Sequence, residues 1–348
     1  MSVQNRIKSI TELGKFFGAI TSENISENSF SDESINEFRQ KMKQSEIQNS
    51  WFTDENLNFC LKQWSKILTE ENLKNWINQY KTDNSPKNIG VVMAGNLPLV
   101  GLHDLISVIL SGHNPIVKTS SKDAVLMSAV IDFLTERNPS LKDVIKKTER
   151  LKEQDAVIAT GSNNTARYFE YYFKDIPHII RKNRTSVAVL DGNETKQDLK
   201  NLANDIFRYF GLGCRNVTRL YLPENFNTDL LFEAFYDWKE IINHNKYANN
   251  YDYNRAVYLM SKDKFLDNNF VILKESDSFH SPIGVVFYSF YKNSDEVKKE
   301  LTEKSEEIQC VVGNLFKDFK NSVDFGQTQM PKLNDYADGV DVMKFLEF

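Results

Sequence analysis

Cysteine is scarce in this chain of 348 residues: Cys60, Cys214 and Cys310 are all there are. So small and odd a set excludes a disulfide framework and points to a reducing compartment. An excess of basic residues is missing too. The net charge of −5 argues against a nucleic-acid partner, which selects a basic face. No apolar run approaches the ~18 residues of a transmembrane helix. The opening MSVQNRIKSITELGKFFGAI carries charges where a secretory signal needs an apolar core. A cytoplasmic protein without a membrane span is expected. Neither G-x-G-x-x-G nor G-x-x-x-x-G-K-[ST] occurs, which disfavours ordinary Rossmann dehydrogenases and P-loop enzymes. No metal ligands are assigned. Internal repeats and a Pro/Gly linker are also lacking, so a two-lobed enzyme with a cleft fits better than beads on a string.

What is present is an ordinary globular composition, 41% hydrophobic and 26% charged, in a chain long enough for about two domains. One stretch organises it, Asp198 to Pro223. Leu199, Leu202, Ala203, Ile206, Phe207 and Phe210 recur at three- and four-residue steps and predict a helix with one apolar stripe. Gly211 and Gly213 supply the positive φ of a helix exit. Val217, Thr218, Leu220, Tyr221 and Leu222 predict a strand closed by Pro223. Cys214 lies between helix and strand, beside Arg215 and Asn216. A thiol on such a loop can face a pocket, and a neighbouring cation favours its reactive thiolate. The bland alternative is an inert, buried cysteine.

Residues 3–82 read as helices. Phe16, Phe17, Trp51, Phe52, Leu57, Leu61, Trp64, Leu68, Leu73, Trp76 and Ile77 form helical stripes, and Thr21 to Ser34 reads as a loop. The tryptophans either line a pocket for an apolar ligand or pack a helical layer on a sheet, the simpler reading. From Asn88 onward, strands at 88–95, 114–119, 155–160 and 185–190 alternate with helices at 99–111, 123–136 and 163–173. Strands apolar over their whole length predict a parallel sheet covered on both faces, an α/β protein. Beyond Pro223 the pattern gives a helix near 228–242 and strands near 255–260, 270–275 and 283–290. A charged helix from Asp295 to Glu307, a strand at 309–314 and a final strand in VDVMKFL (340–346) complete it.

Three loops follow strands at their carboxyl ends, where open α/β sheets bind ligands. In AGNLPLVG, Asn96 offers an amide donor able to stabilise an oxyanion, or a plain helix cap. In VKTSSKD, Lys118 ends a strand ahead of Ser120 and Ser121; it can hold a ribose or phosphate oxygen, or stand solvated. In ATGSNNTA, Gly161 and Ser162 open a helix whose N–H groups suit a pyrophosphate.

The ordered set GNLP, Lys118-x-Ser-Ser, Gly-Ser and G-x-G-Cys-x-N resembles the aldehyde dehydrogenase superfamily, and more narrowly the acyl-CoA reductases of the bioluminescence type (LuxC-like). The likeness runs from about Ile89 to the C-terminus and includes QCVVGN and FGQTQMPKLNDYADGVDVMKFL. It implies an aldehyde-dehydrogenase-like α/β fold with two Rossmann-like lobes. Residues 1–87 would be a helical N-terminal region. Residues 88–190 would bind the dinucleotide, completed by about 315–335. Residues 191–314 would carry the nucleophile. Residues 336–348 would form a C-terminal return strand able to pair across a homo-oligomer.

By the same resemblance Cys214 is the catalytic cysteine, and Asn96 joins its backbone N–H in the oxyanion hole. Lys118 contacts the adenosine ribose, where a 2′-phosphate would also lie, and Ser120 is a further cofactor-binding residue. Gly161 and Ser162 turn against the pyrophosphate. The implied reaction is NADPH-dependent reduction of a fatty acyl thioester to the aldehyde. The donor is left open among acyl-CoA, a carrier protein and an acyl-protein ligase partner. Two departures stand out. Where hydrolytic relatives carry a general-base glutamate, this chain has IIRKNRTSVAV, with Arg181, Lys182 and Arg184. Where a second glutamate holds the nicotinamide ribose, it has DSFHSPIG, with His280. An oxidative NAD(P)-dependent aldehyde dehydrogenase and a non-catalytic scaffold of the same fold are the rival readings.

Overall fold

The computed structural model describes residues 1–22, 30–82 and 85–348. The chain forms two compact units, Met1–Lys182 with Lys332–Phe348, and Asn183–Pro331.

The first unit opens with four helices: α1 (Val3–Thr21), α2 (Asp32–Gln48), α3 (Asp54–Ile67) and α4 (Glu70–Ile77). Each starts where a Ser or Thr oxygen accepts a first-turn N–H: Ser2, Ser31, Thr53 and Thr69. In the expected 21–34 loop, Thr21 ends α1 and Asp32 opens α2; residues 23–29 lie outside the described residues. The aromatic stripe packs on the α/β layer, with Phe16 stacked at 4.2 Å on Phe133. Trp76 is buried and its Nε1 donates to the Tyr336 hydroxyl at 2.7 Å, a packing role.

Next come β1 (Asn88–Val92), α5 (Leu102–Ser111), β2 (Asn114–Lys118), α6 (Ala124–Arg137), β3 (Lys146–Lys147), β4 (Ala156–Thr160), α7 (Asn163–Phe173) and β5 (His178–Arg181). The strands form one parallel sheet in the order β3-β2-β1-β4-β5. Register is set by pairs such as Ile89 with Pro115 on one side and with Ala156 on the other. The winding reverses between β1 and β4, which makes their carboxyl ends the switch point where ligands bind in such sheets.

The second unit contains β6 (Thr185–Val189), α8 (Lys196–Phe207), β7 (Val217–Pro223), α9 (Asp229–Phe235), α10 (Asn245–Met260), β8 (Leu266–Asp267), β9 (Ile272–Glu275), β10 (Val285–Tyr291), α11 (Ser294–Glu303), β11 (Ile308–Val312) and β12 (Ser322–Val323). Its sheet runs β12-β11-β6-β7-β10-β9-β8, parallel except for the β8–β9 edge. The tail then returns to the first unit as a short helix, α12 (Val342–Phe345). Among the described residues, no helix is long and apolar enough to cross a membrane.

Four expectations are corrected. The strand at 185–190, grouped with the dinucleotide region, pairs with β7 and β11 in the second sheet, and residues 315–331 also stay in that unit. Apolar periodicity cannot say which sheet a buried strand joins. The strand near 255–260 is the end of α10, whose buried positions are Tyr247, Tyr251 and Asn254; a helical stripe made of Tyr and Asn is quiet in hydropathy. The C-terminal return strand is α12. Asp341 caps it through Lys344 N, and Val342, Met343 and Leu346 are buried at helical spacing. Finally, α8 ends at Phe207, and its exit is made by Tyr209 (φ 56°), Phe210 (φ 59°) and Gly211 (φ 74°); Gly213 takes no positive φ.

Candidate active site

Cys214 sits half-buried on the four-residue turn that joins the exit of α8 to β7. The turn is closed by Asn216 N donating to Gly213 O at 3.0 Å. The fully buried Asn216 side chain holds it to the helix. Its Oδ1 accepts from Gly213 N at 2.8 Å, and its Nδ2 donates to the carbonyls of Asp205, Ile206 and Arg208 at 3.0, 3.2 and 2.8 Å. These are the orphan carbonyls of a helix end, so the amide replaces the water that would otherwise loosen the exit. Two aromatic residues with positive φ are strained backbone. They persist because both are buried, Phe210 against the His244 ring at 4.3 Å.

Below the turn, the Ser186 hydroxyl donates to Cys214 O at 3.0 Å and accepts from Cys310 N at 3.1 Å. Beside it, Arg215 Nε donates to Thr328 O. Thr328 is gripped by the buried Asp205 carboxylate, which accepts from Thr328 N (3.0 Å), Thr328 Oγ1 (2.8 Å) and Gly326 N (2.6 Å). Burial pushes Asp205 up to about 6 against these donors and the Arg215 charge, so it is chiefly ionised at neutral pH. Asp205 was passed over in the sequence. Its signal is a carboxylate three residues from Leu202 and beside Ile206, at the margin of the apolar stripe of α8. The other two cysteines are buried, Cys60 to 5% and Cys310 to 1% exposure. Cys60 spends its thiol on Pro98 O at 3.3 Å.

In the first unit, Asn96, Lys118, Ser120, Gly161 and Ser162 all fall at the carboxyl edge of the five-stranded sheet, Lys118 as the last residue of β2 and the others in the loops after β1, β2 and β4. Asn96 is exposed and stands well before α5, whose N-cap position is Gly101; the helix-cap reading of Asn96 is set aside. Its turn is fixed by Leu99, at φ 54°, whose N–H donates to Asp123 Oδ2 at 2.8 Å. Asp123 is buried to 1% and its Oδ1 has no hydrogen-bond partner; burial pushes the carboxyl well above the usual range.

Lys118 and Ser120 are half-buried, and the Ser120 hydroxyl accepts from Lys122 N at 3.3 Å. Ser162 caps α7 by accepting from Thr165 N, and the first turn of α7 has no acid. A Cβ on Gly161 would lie 3.1 Å from Thr165 and 3.2 Å from Phe169, so the turn closes tightly on the helix. A helix start without a carboxylate, at the same sheet edge as the strand-end Lys118 two strands away, is a donor set that suits an anionic pyrophosphate.

The cations at 181–184 are engaged. Arg181 forms a buried two-pronged pair with Asp104 at 2.6 and 2.8 Å. Lys182 pairs with Glu170 at 2.8 Å, and Arg184 donates to Ser305 O at 3.2 Å. His280 is exposed on the 276–282 loop, which Arg219 and Thr218 fasten through Asp277 O and Phe279 O at 2.8 and 2.6 Å.

The fold has solved relatives at low identity. Aldehyde dehydrogenase 21 of Physcomitrella patens, in complex with the reaction product succinate, superposes with a TM-score of 0.65 at 13% identity, over 97% of this chain and 82% of its own. The NAD-dependent aldehyde dehydrogenase of Sinorhizobium meliloti gives 0.64 at 12%, over 91% and 71%. The Mycobacterium tuberculosis aldehyde dehydrogenase complexed with NAD+ gives 0.58 at 11%, over 87% and 72%. No curated protein matches the sequence. The acyl-CoA reductase (LuxC) family profile matches residues 21–230, more than half of the chain. Its span takes in every residue singled out above as nucleophile, oxyanion donor or cofactor contact, and the protein therefore belongs to the acyl-CoA reductase (LuxC) family of oxidoreductases, on an aldehyde-dehydrogenase fold.

Proposed function

We propose that the protein reduces a fatty acyl thioester, with acyl-CoA as donor, to the aldehyde through an acyl-enzyme on Cys214, using NADPH. The observation that carries this reading is the contrast among the cysteines. Two are buried, and Cys214 is held half-open on a turn anchored on both sides.

In this reading the Cys214 thiolate attacks the thioester carbonyl carbon. A C–S bond forms, and the oxyanion is held by the Cys214 N–H and the Asn96 amide. The oxyanion collapses as the CoA thiolate leaves, a group that needs no strong acid. Covalent catalysis thus divides one hard displacement into two easier ones. A reduced nicotinamide held by Lys118, Ser120, Gly161 and Ser162 would supply the hydride. The resulting hemithioacetal on Cys214 then breaks its C–S bond, giving aldehyde and thiolate. The sum is acyl-CoA, NADPH and a proton converted to aldehyde, CoA and NADP+. The NAD+ complex of the Mycobacterium tuberculosis enzyme supports a nicotinamide cofactor, and Lys118 is the group proposed to favour the 2′-phosphate.

The test is NADPH oxidation over acyl-CoAs of increasing chain length, paired with NADH, and peptide mapping after acyl-CoA is added without cofactor. An acyl adduct on Cys214 is expected. An adduct on Cys60 or Cys310, or no turnover with any chain, overturns the reading.

A further inference from the structure

The buried carboxylate of Asp205 accepts from Gly326 and Thr328, and the cysteine's chain neighbours on its C-terminal side are tied to Asp205. Arg215, next after Cys214, is anchored on Thr328 O, and Thr328 is held by the Asp205 carboxylate through both its N–H and its hydroxyl. Asn216, the following residue, is anchored on the main-chain carbonyl of Asp205 itself. We propose that Asp205 is a positioning residue for Cys214, acting through Thr328 and Arg215; this rests on the reading of Cys214 as the nucleophile.

Three observations favour it over simple fastening of the 325–328 segment. All three donors to the carboxylate come from Gly326 and Thr328, so it is committed to that one segment. The segment is shaped to approach: Gly326, at φ +81°, lies where a Cβ would come within 3.0 Å of Asn201 on the preceding turn of α8. And the carbonyl that this grip presents is the acceptor for the Arg215 guanidinium, the cation adjacent to the nucleophile. Arg215 is the residue next to Cys214 in the chain, and a cation held at a fixed distance from a thiol biases its thiolate fraction where a wandering one does not. Asp205 therefore sets where the Arg215 charge stands, and so how reactive Cys214 is. Burial of the carboxylate, which raises it to about 6, fits a group kept for geometry.

The experiment is alkylation of Cys214 by iodoacetamide across pH, read by peptide mass mapping, on the full-length protein without substrate. Asp205→Asn and Thr328→Val are expected to slow labelling at neutral pH by about tenfold and to move the profile up by about one pH unit, a tenfold change in thiolate fraction being one unit. Thr328→Ser, which keeps the hydroxyl, is expected to label like wild type, and melting temperatures certify that each variant is folded. Wild-type labelling in both Asp205→Asn and Thr328→Val, or slowed labelling in Thr328→Ser equal to that in Thr328→Val, overturns the proposal. The outcome is separable from the proposed function. If wild type forms no acyl adduct and the two variants still label slowly, the reaction is wrong and the positioning stands.

Discussion

Two turns of this molecule, one in each unit, are built on the same plan and differ in how the acid beneath them is satisfied. The turn carrying Asn96 rests on Asp123, and the turn carrying Cys214 rests on Asp205; both acids are buried to 1% or less. Each turn contains non-glycine residues at positive φ, Leu99 in one and Tyr209 with Phe210 at the mouth of the other. The acids differ in what surrounds them. Asp205 meets three donors and the Arg215 charge. Asp123 has one donor, Leu99 N–H, and an oxygen with no partner. A carboxylate needs donors at both oxygens, while a neutral acid tolerates fewer. Burial raises both carboxyls, Asp205 to about 6 and Asp123 well above the usual range; of the two, Asp205 is the one with donors on both oxygens. The acid with three donors stands under the turn with the thiol, and the acid with one donor and an unpartnered oxygen under the turn with the amide.

The largest expected effect breaks the comparison at its centre. Cys214→Ala should abolish acyl-adduct formation and lower turnover by several orders of magnitude, as deletion of a covalent nucleophile does. Single-turnover NADPH oxidation measures this. Asn96→Ala should cost about 10²- to 10³-fold in turnover, the usual loss for one oxyanion donor, with cofactor affinity unchanged in a fluorescence titration. A joint fall in affinity and melting temperature would instead make Asn96 a structural residue. Next is Asp123→Asn, which keeps an acceptor for Leu99 N–H and resembles the neutral acid. It should change stability at neutral pH by less than about 1 kcal/mol in urea unfolding. A larger loss would mean that Asp123 is held as the ion, and the contrast with Asp205 would fail.

Much of this plan was legible in the residues. Strands such as Ala156–Thr160 and helices such as Asn163–Phe173 follow directly from apolar runs and stripes. The cysteine turn was visible because Gly211, Cys214 and Pro223 punctuate it. Local periodicity did not reveal partnership. Whether Thr185–Val189 joins the first or second sheet depends on residues far along the chain, as does the grip of Asp205 on Thr328, 123 positions away. Asp123 stands just before α6, and its side chain makes no cap bond there but turns to Leu99, a partner 24 positions away that periodicity does not show. The tail misled for another reason. In VDVMKFL the alternation of Val and Asp imitates a strand, while Asp341 acts as a cap.

The subtlest expected effect is the pH dependence of stability at Asp205, and its sign is opposite to that of most paired aspartates. Its folded-state value is about 6, above the ordinary aspartate value of 3.8. Between these two values the folded protein binds the proton that the unfolded chain has released, so stability falls as pH rises through the window and is level above it. The full difference corresponds to about 3 kcal/mol, at 1.36 kcal/mol per unit. Asp205→Asn has no such titration. The stability of wild type relative to Asp205→Asn should therefore be greatest near pH 4 and should decline by up to that amount by pH 7, measured as paired urea midpoints. A relative stability that grows with pH would show that the three donors and Arg215 outweigh burial. The folded value would then lie below the unfolded one, and Asp205 would be a stabilising ion instead of one retained at a cost in stability to hold the Cys214 turn.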